Sequence, residues 1–187
     1  RAVGRALNEN VAFLKVRAGN PGGYLTTSIQ VASAYLEEGN ILVERTPDRS
    51  TEYPRMGEVI AAHVPMVVLV DQGSASASEL VAGALQDHHR ATVVGMPTFG
   101  KGSVQRWYTL SNGGGIRVTV SRWYTPDGRS VSEHGIQPDV VVAYKPDADG
   151  GDDDNQLDAA VAVLEGTYAS AEKTLTRKQT ETGTLGP

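Results

Sequence analysis

The sequence predicts an α/β fold, a mainly parallel sheet flanked by helices with a β-hairpin added. Three observations carry this. Residues 65–70 (Pro-Met-Val-Val-Leu-Val) and 91–94 are short apolar runs. Such runs suit strands covered on both faces, as parallel strands are. A segment of helical periodicity lies between them, so the two strands are expected to be parallel neighbours. Downstream the apolar period falls to two around a glycine-rich turn, which is the pattern of a hairpin.

Taken in order, residues 11–16 form a short apolar run interrupted by Lys15 and are read as a strand. Asn20-Pro21-Gly22-Gly23 is a turn, because proline lacks an N–H and glycine accepts positive φ. Leu25, Ile29, Ala32 and Leu36 recur at helical spacing, which predicts a helix over 24–39 ending at Gly39. Residues 41–45 are a strand. After the run 65–70 the chain turns at Asp71-Gln72-Gly73-Ser74 into a helix reaching His89, with Leu80, Val81, Ala84 and Leu85 as its apolar stripe. A loop over 95–102 follows the strand 91–94. Residues 104–110 and 116–123 then flank the turn Ser111-Asn112-Gly113-Gly114-Gly115. Ile116, Val118 and Val120 alternate with polar residues, so that strand is expected to be half-buried. Residues 139–142 are a last short strand. Residues 1–145 thus form the core, 146–155 an acidic linker, 156–166 an amphipathic helix carrying Leu157, Ala160, Val161 and Leu164, and 167–187 a polar tail expected to be mobile.

Composition narrows the function. The 187 residues suit one domain, and 40% hydrophobic residues supply a sizeable core. A net charge of −5 without a basic run disfavours nucleic-acid binding. The chain has no cysteine, which excludes disulfides, thiolate nucleophiles and cysteine–zinc sites. No apolar run approaches the ~20 residues that span a bilayer, and residues 1–10 do not read as a signal peptide. The run of Asp147, Asp149, Asp152, Asp153 and Asp154 lacks the spacing and closing glutamate of a calcium loop. No metal or cofactor is expected.

Candidate chemistry lies at the strand-to-helix turn Gly73-Ser74-Ala75-Ser76-Ala77-Ser78-Glu79. A serine there stands above the sheet, and the free N–H groups of the helix start stabilise negative charge. Ser76 and Glu79 also match a capping box, in which the serine only caps the helix. The loop after the next strand holds Lys101 between Gly100 and Gly102. Lysine is a known base for serine nucleophiles. An ordinary solvated lysine would look the same in isolation. Gln105, four residues on, could hold the lysine amine, or be an ordinary strand residue.

These segments together, with Trp123-Tyr124-Thr125-Pro126-Asp127-Gly128-Arg129-Ser130 and Gly135-Ile136-Gln137-Pro138-Asp139, resemble the C-terminal processing peptidases, or tail-specific proteases. The likeness runs in order from about residue 11 to about residue 164. It implies a serine peptidase cleaving near protein C-termini, with Ser76 as nucleophile, Lys101 as general base and Gln105 orienting the lysine. The separation of 25 residues between Ser76 and Lys101 agrees with the family pattern and selects Ser76 over Ser74 and Ser78. The oxyanion hole implied is the backbone N–H of Gly22 and of Ala77, and the fold implied is the crotonase-like core shared with the Clp peptidases.

The resemblance further implies protein or peptide C-termini as partners, a PDZ domain or N-terminal segment outside this chain, a homo-oligomer, and an extracytoplasmic location. The acidic residue usual before the Asn-Pro-Gly-Gly turn is missing, because Leu14-Lys15-Val16-Arg17 stands there. A base at Lys101 is expected to be enclosed and away from carboxylates, because lysine is charged in water at neutral pH. His88 and His89, at a helix C-terminus, His63 and His134 are not read as catalytic. A crotonase-type acyl-CoA enzyme and a non-catalytic binding module on the same fold are the competing readings. Neither needs the Ser76–Lys101–Gln105 set.

Overall fold

A computed structural model describes residues 12–15, 19–132, 134–145 and 154–166. It shows a mixed α/β architecture with two four-stranded sheets. The first sheet contains β1 (Ala12–Lys15), β4 (Met66–Val70), β5 (Thr92–Gly95) and β8 (Val140–Val141), in the order β1-β4-β5-β8. Every pairing in it is parallel. The second has the order β3-β2-β7-β6, with β2 (Asn40–Arg45), β3 (Ser50–Pro54), β6 (Ser103–Thr109) and β7 (Gly115–Tyr124) all antiparallel.

The unbroken apolar run of β4 has a direct structural cause. Alternate residues of a strand face opposite ways. Met66, Val68 and Val70 join the core with helices α1 (Leu25–Ser33) and α2 (Ala77–Asp87), while Val67 and Leu69 pack with helix α3 (Asn155–Leu164). Both faces are therefore apolar. The parallel pairing of β4 with β5, with α2 between them in the chain, agrees with the sequence reading. Val68 and Val93 are fully buried, and each such side chain contributes about 1.5–3 kcal/mol.

Several expectations are corrected. The first helix ends at Ser33, not Gly39. The Ala34 carbonyl accepts the N–H groups of Ile60 (2.7 Å) and Ala61 (3.0 Å), which takes it out of the helical ladder. Strand β3 lies where no apolar run marks it, since its partly buried residues are Thr51 and Tyr53. The hairpin is not a simple addition to the parallel sheet, because β7 pairs with β2 and builds the second sheet. Of its alternating apolar residues, Val120 is partly buried as expected, but the other two are not. Ile116 is 47% and Val118 39% exposed, because no described element packs over them. Asp154 and Asn155 belong to the start of α3, where the Asp154 carboxylate caps the Leu157 N–H at 3.1 Å. The remaining linker residues, 146–153, and the tail 167–187 lie outside the described residues.

Glu44 on β2 ties the second sheet together. It accepts the Tyr53 hydroxyl at 2.6 Å from β3 and the Ser121 hydroxyl from β7. The Tyr53 ring meets Trp123 edge-on, with centroids 6.2 Å apart. The hydrogen bond to Glu44, helped by partial burial, raises the Tyr53 pKa above its ordinary value. Stabilisation from a raised pKa is complete below the unfolded value, near ~10, and is lost as pH rises through the folded one. Tyr53→Phe is therefore expected to cost about 1–2 kcal/mol at neutral pH. The gap to the unmodified chain should narrow at alkaline pH, as read from urea midpoints at several pH values.

Candidate active site

The end of β4 feeds a turn organised by Asp71. Its carboxylate accepts the N–H of Gly73 and the hydroxyl of Ser74, each at 3.0 Å. It also accepts the N–H of Gly19, at 3.1 and 3.0 Å to its two oxygens. Asp71 thereby ties the segment before Asn20 to the segment before the helix. The Asn20 carbonyl completes the junction by accepting the Ala75 N–H at 2.9 Å and the Ser78 hydroxyl at 3.3 Å. The Asn20–Gly23 turn therefore lies directly over the start of α2. Gly22 is required there. Its φ is +99°, and a Cβ on it would stand 2.7 Å from the Ala75 oxygen, 2.8 Å from the Ala77 nitrogen and 3.0 Å from Ser76 Cβ.

Ser76 immediately precedes α2 with φ 56° and ψ −119°, a conformation that costs a non-glycine residue on the order of 1–3 kcal/mol. Ser76 and Glu79 occupy the two ends of a capping box, but the serine side chain makes no cap hydrogen bond. The Glu79 N–H donates instead to the Ser76 carbonyl at 2.9 Å. Its neighbours differ. The Ser74 and Ser78 hydroxyls are buried and committed to Asp71 and Asn20, whereas Ser76 is half-buried. The Ala77 N–H has no acceptor among the described residues. Gly22, Ser76 and Ala77 thus come together. The Gly22 N–H is occupied by the Asn20 side-chain oxygen at 3.0 Å.

The centre of the site is a residue that the sequence reading treated only as half of a cap. Glu79 is fully buried. Its Oε2 accepts the Ser76 N–H (2.7 Å) and the Lys101 N–H (2.9 Å). Its Oε1 accepts the Thr98 hydroxyl (2.5 Å) and the Gly100 N–H (2.7 Å). The Thr98 oxygen accepts the Ile136 N–H at 2.7 Å, so its own proton goes to Glu79. Four donors and no donating group of its own fit a carboxylate. One signal for this was in the sequence. Residues 77–85 contain no charged side chain except Glu79, and every one of them is buried. A glutamate in a helix without a polar face must find partners inside.

Through Glu79 the backbone of Ser76 is fixed to the backbone of Lys101. The side chain of Lys101 is another matter. It is exposed, not enclosed, and has no hydrogen-bond or ion-pair partner among the described residues. The physical reason is local. Gly100 and Gly102 flank it without side chains, and the hairpin beyond it has no covering layer. Gln105 is exposed on β6, paired with Thr119 on β7, and makes no hydrogen bond to Lys101. The structure thus gathers Gly22, Ser76 and Ala77, fixes the Lys101 backbone to them, and leaves the side chains of Lys101 and Gln105 free.

The other motifs back this loop. Gly135 packs on Thr98 and Gly102 on Val131 and Ser132, so closely that no Cβ fits at either. The Thr125-Pro126-Asp127-Gly128 turn docks on the end of α2, where Asp87 accepts the Asp127 N–H at 2.8 Å and pairs with Arg129. His88 donates its Nε2–H to the Asn40 carbonyl at 2.7 Å, and His63 lies 3.6 Å from Glu37. No cluster of metal-ligating side chains occurs among the described residues.

Residues 16–142 match the family profile described as Peptidase family S41. The carboxy-terminal-processing protease of Bartonella bacilliformis is 45% identical over 126 residues, covering 66% of this chain and 29% of that protein. Carboxyl-terminal-processing peptidase 2, chloroplastic, of Arabidopsis thaliana is 41% identical over 138 residues, covering 72% of this chain and 26% of that protein. The solved photosystem II D1 C-terminal processing protease superposes with a TM-score of 0.66 at 35% identity, over 75% of this chain and 39% of that one. The chain therefore spans under a third of the length of these two curated relatives.

Glu79→Gln would turn an amide NH₂ toward N–H donors that now meet oxygen. It is expected to destabilise the chain by at least about 2 kcal/mol in urea unfolding. Glu79→Asp, too short to reach all four donors, should also lose stability. A Glu79→Gln chain as stable as the parent would show that these bonds do not hold the site.

Proposed function

The chain belongs to peptidase family S41, and on that premise we propose that it carries the catalytic core of a serine endopeptidase that cleaves near the C-termini of proteins. The observation that supports this best is the junction of Gly22, Ser76 and Ala77. A serine held at positive φ stands at a helix start, beside a backbone N–H with no acceptor among the described residues and a glycine that nothing larger could replace. Ser76 attacks the scissile carbonyl. The developing oxyanion is received by the Ala77 and Gly22 N–H groups, the latter after release from Asn20. Lys101 takes the serine proton, and Gln105 orients its amine. Collapse of the intermediate breaks the peptide C–N bond, and the Lys101 ammonium gives its proton to the leaving amine. Water, deprotonated by Lys101, then attacks the acyl-enzyme, and the proton returns to the Ser76 oxygen as the acid product leaves.

In this reading the Lys101 side chain becomes enclosed only when the site is covered, by substrate or by protein outside the described residues. Catalytic hydrogen bonds are often long in ligand-free forms. The fold is read as the crotonase-like core shared with Clp peptidases, with residues 1–145 as the core and 146–155 as a linker. The partners are polypeptide C-termini, a PDZ domain or N-terminal segment beyond this chain, and further copies in a homo-oligomer. The location is extracytoplasmic. No helix of the described residues is long and apolar enough to cross a membrane.

A fluorophosphonate probe, which esterifies activated serines, tests the core of the proposal. Labelling is expected at Ser76 and should vanish in Ser76→Ala. Lys101→Ala and Lys101→Arg should each slow it by at least ~10³-fold, because neither side chain can accept a proton at neutral pH. Gln105→Ala should slow it less, since glutamine only orients. EDTA should leave it unchanged. Labelling that survives Ser76→Ala, or full labelling of Lys101→Arg, would overturn the assignment.

A further inference from the structure

The hairpin that begins two residues after Lys101 differs in charge from the rest of the molecule. Residues 101–124 hold four basic residues, Lys101, Arg106, Arg117 and Arg122, and no acidic one, in a chain of net charge −5. The strand register places specific side chains together. Residues directly opposite one another in an antiparallel pair project from the same face. Gln105 opposes Thr119, Trp107 opposes Arg117, and Thr109 opposes Gly115. Gln105, Trp107 and Arg117 therefore share one face, two residues apart along β6.

Trp107 on that face is 64% exposed. A Cβ on Gly115 would fall 1.9 Å from Trp107 Cζ2, so the indole leans over the glycine of the neighbouring strand and fills the space a side chain there would take. A large exposed aromatic is what binding surfaces use to take apolar side chains. Arg117 beside it is exposed and has no acidic partner among the described residues. Guanidinium groups of this kind match carboxylates in two-point fashion.

We propose that the Gln105-bearing face of the β6–β7 hairpin is a substrate subsite, in which the Trp107 indole receives an apolar side chain and Arg117 receives a carboxylate of the same extended peptide. This deepens the peptidase reading and rests on it. Alternate side chains of an extended strand lie roughly 6.5–7 Å apart on one face, which suits an apolar group and a carboxylate two positions apart. The carboxylate is either the peptide's own C-terminus or an aspartate or glutamate side chain.

Binding is measurable without turnover. The chain has two tryptophans, and Trp123 is only 8% exposed, so a blue shift in emission on peptide addition reports on Trp107. The probes, used on the Ser76→Ala chain, are an alanine-rich hexapeptide with one leucine two positions before a free C-terminus, its C-terminal amide, and an amide with aspartate as the last residue. The free acid should shift the emission and bind about 10-fold more tightly than the neutral amide. Arg117→Gln should abolish that difference while the shift persists. Trp107→Leu should abolish the shift. If the aspartyl amide regains the affinity, a side-chain carboxylate suffices. If it does not, the subsite reads the C-terminus itself.

Equal affinity for acid and amide, or an acid preference that survives Arg117→Gln, would overturn the subsite. Probe labelling of Ser76 in the unmodified chain separates the two ideas. Labelling without the acid preference removes only the subsite, and the acid preference without labelling removes only the peptidase reading.

Discussion

The Glu79 carboxylate is the constraint on which the arrangement depends. A buried carboxylate is costly unless its lone pairs are met, and here each oxygen meets two donors. Those donors come from the residue before α2 and from the loop after β5, segments that the chain reaches by separate strands. No cationic side chain pairs with Glu79 among the described residues. Its charge is offset by peptide N–H groups, which cannot swing away as a lysine or arginine can. That choice trades a strong, mobile partner for several fixed ones, and it suits a site where two backbones must hold their spacing.

A second carboxylate does parallel work on the other side of Ser76. Asp71 is only partly buried and binds the Gly19 N–H and the Ser74 region. The positive φ of Ser76 lies between these two anchors. Strain at a single residue persists when its surroundings over-determine it. Here the Ser76 N–H is bound by Glu79, and its carbonyl receives the N–H groups of Glu79 and Leu80. The glycines at 22, 102 and 135 then let backbone approach backbone at distances that no side chain would permit.

Much of this was legible in the sequence, and the limits have physical reasons. Strands β4 and β5 and helix α2 were visible because burial on both faces leaves an unbroken apolar run, and burial on one side leaves a helical stripe. Gly22, Ser76 and Ala77 were legible through their motifs. Strand β3 was not, because its inward residues Thr51 and Tyr53 are polar or bear a hydroxyl that finds Glu44 only in three dimensions. The hairpin face misled in the other direction. Ile116 and Val118 alternate as a half-buried strand does, but periodicity records which way a side chain points, not whether anything covers it. Glu79 was hidden by a local explanation. The capping box accounted for it within four residues, whereas three of its four donors lie about twenty residues away in the chain.

Under the proposed mechanism, the Asn20 carboxamide resting on the Gly22 N–H has a consequence for inhibitor chemistry. A neutral carbonyl that entered the site would exchange one amide-to-carbonyl bond for another, with little net gain. A boronate or phosphonate adduct of Ser76 presents an anionic oxygen instead, and charge-assisted bonds are roughly twice as strong. In that mechanism the donor is held in reserve against uncharged ligands and released to charged ones. Compounds ranked by their fit to the resting cleft would be ranked against a competitor already seated there, and warheads that create negative charge would gain more than their contact area suggests.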